Sequence, residues 1–335
     1  MTARRSRIGL ILTGGTIDSL GLSRLDLGWY IEAGLKLPAA DLLARVPELD
    51  AIADVEQVPF RRLPSHALAS SDWLDLLRLL ETLLEQDGYD AVVVTHGTNT
   101  LEETAYFLHL ALKTNKPVVL TGAMRPASAV SADGYLNLIN AVRVAAEPAS
   151  HGRGCLVVMN DTIFDARHVT KASTYRVEAF DGRDVGPLGF ADADGRVVYY
   201  HRADRTERAG GEFALAGLEV LPRVDVVVSY VGADGAMIRA AAAAGARGIV
   251  SAGTGAGRPT PAEDDAFDEI HRDSGVLMCL CSRVGSGRSV RSPGLARRGF
   301  VAGDNLQPWK ARVLLSLALT KTAEPDAVQR LFDTF

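Results

Sequence analysis

A short apolar run that ends in a pair of glycines places the strongest constraint on how this chain can fold. Residues 8–12 are Ile, Gly, Leu, Ile and Leu, and a Thr-Gly-Gly-Thr sequence follows at residues 13–16. Such a run is typical of a buried strand in a parallel sheet, and the glycines predict a sharp turn after it. Ligands bind at the carboxyl ends of such strands, so Thr16 is either a reactive group or an ordinary hydrogen-bonded turn residue.

The same pattern of an apolar strand followed by a polar turn recurs along the chain. Residues 91–95 are apolar up to Thr95, a helical pattern begins at Leu101, and residues 117–121 and 155–159 are further apolar runs. Strands that alternate with helices predict an α/β fold with a mostly parallel sheet flanked by helices.

The turn after the second strand offers another hydroxyl at a strand end. It reads His-Gly-Thr-Asn-Thr at residues 96–100, so Thr98 repeats the position of Thr16. Thr98 or Thr100 could instead only cap the following helix, with Glu103 completing a capping box from Thr100. His96 fits best as a core histidine whose hydrogen bonds are satisfied.

A shift in composition divides the chain into two predicted domains. Residues 204–222 are rich in charge and glycine and are predicted to be a linker. We expect a larger N-terminal α/β domain at residues 1–203 and a smaller C-terminal α/β domain at residues 223–335. A length of 335 residues is sufficient for two domains.

The composition excludes several classes of function. The net charge of -5 argues against a nucleic-acid or anionic-membrane partner, and no apolar run approaches the length of a membrane span. The run at residues 8–12, which follows a basic start, is too short for a signal-peptide core. The turn at residues 13–16 matches neither nucleotide-binding glycine motif, which argues against a nucleotide there, and no Cys/His cluster has the spacing of metal ligands, so we expect no metal. The three cysteines, Cys155, Cys279 and Cys281, are predicted to be buried thiols of a cytoplasmic protein.

Other polar positions are candidates for a site, each with a plainer alternative. Residues 18–24 are a polar, glycine-containing segment that resembles a mobile lid, and Tyr30 at its far end could simply anchor it. Ser65 and His66 precede a helix that Ser70, Ser71 or Asp72 could cap, so Ser65 has no capping role there. Lys171 lies in a polar loop, where a solvated lysine is the default.

Taken together and in order, the motifs resemble those of the bacterial-type L-asparaginase/glutaminase family over essentially the whole chain. The matching stretches lie at residues 13–17, 95–98, 101–105, 122–126, 131–134, 137–138, 157–161, 169–171, 282–287, 310–314 and 317–320. The resemblance implies a cofactor-free amidohydrolase that converts L-asparagine to L-aspartate and ammonia and assembles as a homodimer or homotetramer.

The resemblance also implies roles for individual residues. Thr16 corresponds to the nucleophile that forms an acyl-enzyme, and Tyr30 to the lid tyrosine that hydrogen-bonds it. Thr98 and Lys171 correspond to a second Thr–Lys pair, and Ser65 to the serine that binds the substrate carboxylate. The backbone around Thr98 and Ala123 is expected to hold the scissile amide.

Three positions depart from the family pattern on the side that holds the substrate's amino group. Asn99 replaces the usual Asp, His66 follows Ser65 in place of the common Gln, and residues 253–258 lack the usual Asn. Two alternatives are therefore kept: the same chemistry on a related monoamide or acyl substrate whose α-amino group is altered or absent, and a non-catalytic ligand-binding protein.

Overall fold

The structure is a computed structural model that describes residues 4–201, 213 and 215–335. The chain divides into two compact units, Met1–Gly210 and Gly211–Phe335. The boundary predicted at residue 203 and much of the linker predicted at residues 204–222 lie outside the described residues, so the domain limits stay a prediction.

The first unit contains an eight-stranded sheet in the order β10-β9-β6-β5-β4-β3-β1-β2. The pairings from β2 through β5 are parallel, whereas β6, β9 and β10 are joined by antiparallel pairings. A separate ribbon pairs β7 with β8. The strands of this unit are β1 (Arg7–Leu12), β2 (Asp54–Val58), β3 (Ala91–Thr95), β4 (Val118–Thr121), β5 (Cys155–Met159), β6 (Thr162–Asp165), β7 (Thr170–Lys171), β8 (Phe180–Asp181), β9 (Gly189–Ala191) and β10 (Val197–Tyr199).

The central strands form the core because their side chains are apolar on both faces. Every residue of β3, β4 and β5 is buried, as continuous apolar runs require in a sheet covered by helices on both sides. The helices of this unit are α1 (Tyr30–Ala33), α2 (Ala39–Ala44), α3 (Leu49–Ile52), α4 (Ser70–Glu81), α5 (Leu101–Ala111) and α6 (Gly134–Ala146). The predicted mostly parallel α/β architecture is confirmed.

The start of α4 differs from the prediction. Ala69, and none of the three polar residues predicted to cap the helix, is the N-cap. Asp72 still satisfies the helix start, because its carboxylate accepts a hydrogen bond of 2.8 Å from the Ala69 backbone N–H. A carboxylate three residues into a helix can reach back in this way, so the acidic side chain stabilises the helix from inside its first turn.

The second unit is a smaller α/β body with a four-stranded parallel sheet in the order β11-β12-β13-β14. Its elements are β11 (Val224–Val228), α7 (Ala236–Ala243), β12 (Gly248–Gly253), α8 (Pro261–Ser274), β13 (Leu277–Ser282), α9 (Pro293–Arg297), β14 (Val301–Ala302), α10 (Pro308–Ala318) and α11 (Pro325–Thr334). Its predicted α/β class is confirmed.

The three cysteines are buried, as the sequence analysis predicted. Cys155, Cys279 and Cys281 are buried and free, with 4.0 Å between the last two sulfur atoms. Within the described part of the chain, none of the helices combines the length and the apolar character that crossing a membrane requires.

Candidate active site

Two glycine turns at the ends of neighbouring strands form the floor of the site. Strands β1 and β3 pair in register, with Leu12 opposite Thr95, so the turns that follow them lie side by side. Gly15 has φ of 107°, and a Cβ atom added to it would lie 2.7 Å from the Cα atom of Gly97. A Cβ on Gly97 would in turn lie 2.6 Å from the Ser65 hydroxyl oxygen. Only glycine fits at both positions, and this close approach brings three segments together.

Thr16 and Tyr30 are hydrogen-bonded partners. Thr16 opens the 3-10 turn Thr16–Asp18, and its Oγ1 lies 2.9 Å from the Tyr30 hydroxyl. Tyr30 begins α1 and is buried. Burial raises the pKa of the Tyr30 phenol, while its hydrogen bond with Thr16 opposes that shift. The phenol therefore keeps its proton at neutral pH and can orient the Thr16 hydroxyl.

Thr98 and Lys171 form a second pair. The Lys171 Nζ atom donates to Thr98 Oγ1 at 2.9 Å and to Asn99 Oδ1 at 3.2 Å. Lys171 is half-buried at the end of β7, rather than a solvated lysine, and its backbone N–H donates to the Glu102 carboxylate at 3.1 Å. Burial lowers the pKa of the Lys171 amine, and the charge of Glu102 partly counters this effect. A lowered pKa favours the neutral amine that a proton acceptor needs.

Thr100 has a different role from the predicted capping box. It is the N-cap of α5, but its side chain makes no capping hydrogen bond. Its hydroxyl instead donates to the Ser65 backbone carbonyl at 2.8 Å. Tertiary contact has displaced local capping here, and the result is a tether between the Ser65 loop and the loop that carries Thr98.

The residues predicted to bind substrate occupy different depths. Ser65 is buried and opens the 3-10 turn Ser65–Ala67, whereas His66 and Asn99 are exposed, and all three line one pocket. Ala123 is fully buried and does not line the pocket, whereas its neighbour Met124 does. The Asp133 carboxylate holds this turn by accepting hydrogen bonds from the backbone of Met124 and Arg125.

The pocket that joins these residues has a volume of about 660 Å³ and a one-sided charge. Both threonine pairs line it, as do Lys36 and Tyr175, two residues that the sequence analysis did not single out. Its charged and titratable lining groups are Lys36, Lys171, His66 and the tyrosines, and the described residues place no Asp or Glu on its wall. The described lining therefore offers no carboxylate to the ammonium group of a substrate.

His96 lies beneath the Thr98 loop as a core residue, which was its predicted role. Its Nδ1 atom lies 2.8 Å from the Gly97 carbonyl oxygen and its Nε2 atom 3.0 Å from the Thr104 hydroxyl. Burial lowers the pKa of the imidazole to about 4, so His96 is neutral at pH 7. The ring thus supports the loop by hydrogen bonding.

The part of the chain that the structure describes contains no cluster of metal-ligating side chains. No group of three or more His, Cys, Asp or Glu side chains there is placed to hold an ion.

Comparison with known proteins assigns the chain to a family. A model described as "Asparaginase, N-terminal" matches residues 7–205, and one described as "Glutaminase/Asparaginase C-terminal domain" matches residues 223–332. L-asparaginase 2 of Bacillus subtilis is 38% identical over 328 residues, which cover 98% of this chain and 86% of that protein. L-asparaginase 2 of Escherichia coli is 39% identical over 330 residues, covering 98% and 93%.

A solved structure agrees with these matches. The crystal structure of a probable cytoplasmic L-asparaginase from Campylobacter jejuni has a TM-score of 0.93 and 37% identity, covering 99% of this chain and 100% of that one. The protein is thus an amidohydrolase. It belongs to the asparaginase family, as the resemblance of its motifs predicted.

Proposed function

We propose that this protein hydrolyses the side-chain amide of L-asparagine to L-aspartate and ammonia through an acyl-enzyme on Thr16. The observation that carries the proposal is one pocket lined by both the Thr16–Tyr30 pair and the Thr98–Lys171 pair. An amide carbonyl needs a nucleophile, a proton acceptor and donors for the developing oxyanion. The two pairs supply the first two, and the backbone around Thr98 and Ala123 is the proposed site of the scissile amide.

The proposed reaction has two steps, acylation of Thr16 and hydrolysis of the resulting ester. The Thr16 Oγ1 atom forms an ester with the acyl carbon, the C–N bond breaks, and the nitrogen leaves as ammonia after taking up a proton. Water then attacks the ester, which releases the acid and restores the Thr16 hydroxyl. Lys171 is the proposed acceptor of the proton that Thr16 loses, because its lowered pKa makes the neutral amine accessible. Thr98 bonds directly to that amine and positions it.

A second candidate substrate is favoured by the lack of a carboxylate in the described pocket lining. Asparagine carries an α-ammonium group. Asn99 offers this group only a neutral amide oxygen, whereas an aspartate at the same position would attract it with a negative charge. Losing a charge-assisted hydrogen bond costs about 1.5–3 kcal/mol of affinity. An amide without a free ammonium, such as succinamate, avoids this loss.

The test of both candidates is an ammonia-release screen with the purified protein. The substrates are L- and D-asparagine, L- and D-glutamine and succinamate. We expect L-asparagine or succinamate to be turned over fastest, and the ratio of their kcat/KM values decides between the two. Ammonia release from any of them excludes the non-catalytic alternative, and release from none contradicts the proposed function.

Changing Asn99 to aspartate tests whether this position recognises the substrate's amino group. We expect Asn99→Asp to lower KM for L-asparagine, because the new carboxylate attracts the ammonium. We expect the same variant to turn over succinamate more slowly, because the new carboxylate repels this negatively charged substrate. The added charge lies beside the Lys171 amine, so it also raises the pKa of that amine and moves the rising limb of the pH–rate profile to higher pH. Steady-state kinetics of ammonia release across pH measure all three effects.

The matched control for the Asn99 variant is Asn115→Asp, which adds the same charge at an exposed position outside the pocket lining. Identical kinetics of the two variants on every amide would show that Asn99 does not recognise the substrate.

Ser65 is proposed to hold a substrate carboxylate. Its side chain lines the pocket, although the residue is buried and Gly97 packs against it. We expect Ser65→Ala to raise KM about 10- to 100-fold for a carboxylate-bearing amide, the effect of losing one charge-assisted hydrogen bond, with little change in kcat. An unchanged KM for asparagine and succinamate would leave Ser65 with a structural role only.

The cytoplasmic location and the homodimer or homotetramer are proposed as well. The structural relative from Campylobacter jejuni is named a probable cytoplasmic L-asparaginase, but a relative from Haemophilus influenzae, 40% identical, is named a probable periplasmic one. Cell fractionation and light scattering of the purified protein test these two proposals.

A further inference from the structure

The segment that carries Tyr30 leaves the nucleophile turn and returns to it. Residues 20–35 form this segment, which we call the Tyr30 segment. Its two ends are joined by backbone hydrogen bonds, from the Leu20 N–H to the Leu35 carbonyl at 2.9 Å and from the Leu37 N–H to the Asp18 carbonyl at 2.7 Å. The base of the segment therefore lies directly beside the Thr16–Asp18 turn.

The ammonium group of Lys36 connects the ends of the Tyr30 segment to the turn that carries Thr16. The Lys36 Nζ atom donates to the Gly15 carbonyl at 2.9 Å, to Asp18 Oδ1 at 2.9 Å and to Ser19 Oγ at 2.8 Å. An ammonium has three protons, so these contacts use its full donor capacity. Gly15 is the residue immediately before Thr16, and the Ser19 hydroxyl also donates to the Gly15 carbonyl at 2.8 Å.

A buried carboxylate fixes the position of that ammonium. The Asp18 side chain is 2% exposed, and Arg62 binds its other oxygen. The same guanidinium donates to the Leu37 carbonyl at 2.8 Å, just beyond the base of the Tyr30 segment. A buried carboxylate that loses one of its cationic partners is strongly destabilised. The contacts of Asp18 with both Lys36 and Arg62 are therefore favoured, and they fix the positions of the two cations.

We propose that Lys36 is a positioning residue that couples the Tyr30 segment to the Thr16 turn and so maintains the 2.9 Å contact between Tyr30 and Thr16. Lys36 directly follows the last residue of the Tyr30 segment, and its ammonium binds the carbonyl of Gly15, the residue before Thr16. The kinetic consequences rest on the proposed function. The coupling itself does not, since it is a statement about two backbone segments.

The test compares Lys36→Met with Lys113→Met. Methionine keeps the length and apolar stem of lysine, and Lys113 is an exposed lysine outside the pocket lining, so Lys113→Met controls for loss of one surface charge. Misplacing reacting groups by about 1 Å costs up to about 100-fold in rate, so we expect Lys36→Met to lower kcat by about 10- to 100-fold with little change in KM. Lys113→Met is expected to match the wild type.

Hydrogen–deuterium exchange provides a readout that does not depend on activity. In Lys36→Met we expect faster exchange both in the Tyr30 segment and at residues 15–19. Faster exchange in the Tyr30 segment alone, or a kcat equal to that of Lys113→Met, would overturn the proposal. If the wild type releases no ammonia from any amide, the proposed function fails, while the exchange measurement still decides the coupling.

Chemical rescue separates positioning from general loss of stability. The Lys36 side chain is 45% exposed, so a small amine can enter the space that Lys36→Ala leaves. We expect propylammonium to restore part of the lost kcat, and tetramethylammonium, which has no N–H donor, to restore none. Equal effects of the two cations would contradict the specific role of the Lys36 hydrogen bonds.

Discussion

Replacing Thr16 by alanine is expected to lower kcat for ammonia release by about 10⁴-fold or more, because a nucleophile and its base act as a unit. The fold should persist, since the Thr16 side chain is only partly buried and its hydroxyl bonds to Tyr30 rather than to the core. Ammonia release and circular dichroism of the purified variant measure the two outcomes.

Two further substitutions at position 16 sharpen this test. Thr16→Val keeps the branched shape without the hydroxyl and should be as inactive as Thr16→Ala. Thr16→Ser keeps a hydroxyl and should retain measurable turnover. If a correctly folded Thr16→Ala or Thr16→Val protein works at nearly the wild-type rate, Thr16 is not the nucleophile.

Replacing Lys171 by methionine is expected to have the second largest effect, a loss of about 10²- to 10⁴-fold in kcat, as is usual when a general base is removed. Methionine fills the space of the alkyl chain but takes up no proton. Tyr30 cannot substitute for the missing base, because burial raises the pKa of its phenol further from neutrality.

The pH dependence of the wild type follows from the same residue. In the proposed mechanism the neutral Lys171 amine is the active form, so kcat/KM should rise with pH through the pKa of that amine. Burial lowers this pKa from its ordinary value, and the rising limb should therefore lie below the pH at which an exposed lysine titrates. Lys171→Met should lose the rising limb, and a rising limb that survives in this variant would assign it to another group.

The strands and the hydroxyls that follow them were predictable because the signals are local. An apolar run and a glycine pair specify a strand and its turn, and parallel strands bring their carboxyl ends to one edge. Thr16 and Thr98 could therefore be placed in one site before any distance was known. The motif resemblance supplied Lys171, whose polar loop otherwise suggested a solvated side chain.

The contacts that the sequence did not predict depend on chain segments far apart in sequence. Lys36 lies in no recognisable motif. Its three hydrogen-bond acceptors lie at residues 15–19, which the fold brings beside the ends of the Tyr30 segment. Thr100 had a plausible local partner in a capping box, but the Ser65 carbonyl, 35 residues away, takes its hydroxyl instead. Local patterns cannot weigh such tertiary competitors.

The contact between Gly15 and Gly97 has a consequence for how this enzyme can be changed. The two turns touch through main-chain atoms, so no side-chain substitution there can widen or narrow the gap between the Thr16 and Thr98 hydroxyls without moving a strand. Directed evolution toward other amides therefore cannot change the spacing of the Thr16 and Thr98 hydroxyls by substitutions in these two turns. New specificity has to come from the exposed rim, where His66, Asn99 and Tyr175 can vary at little cost to the fold.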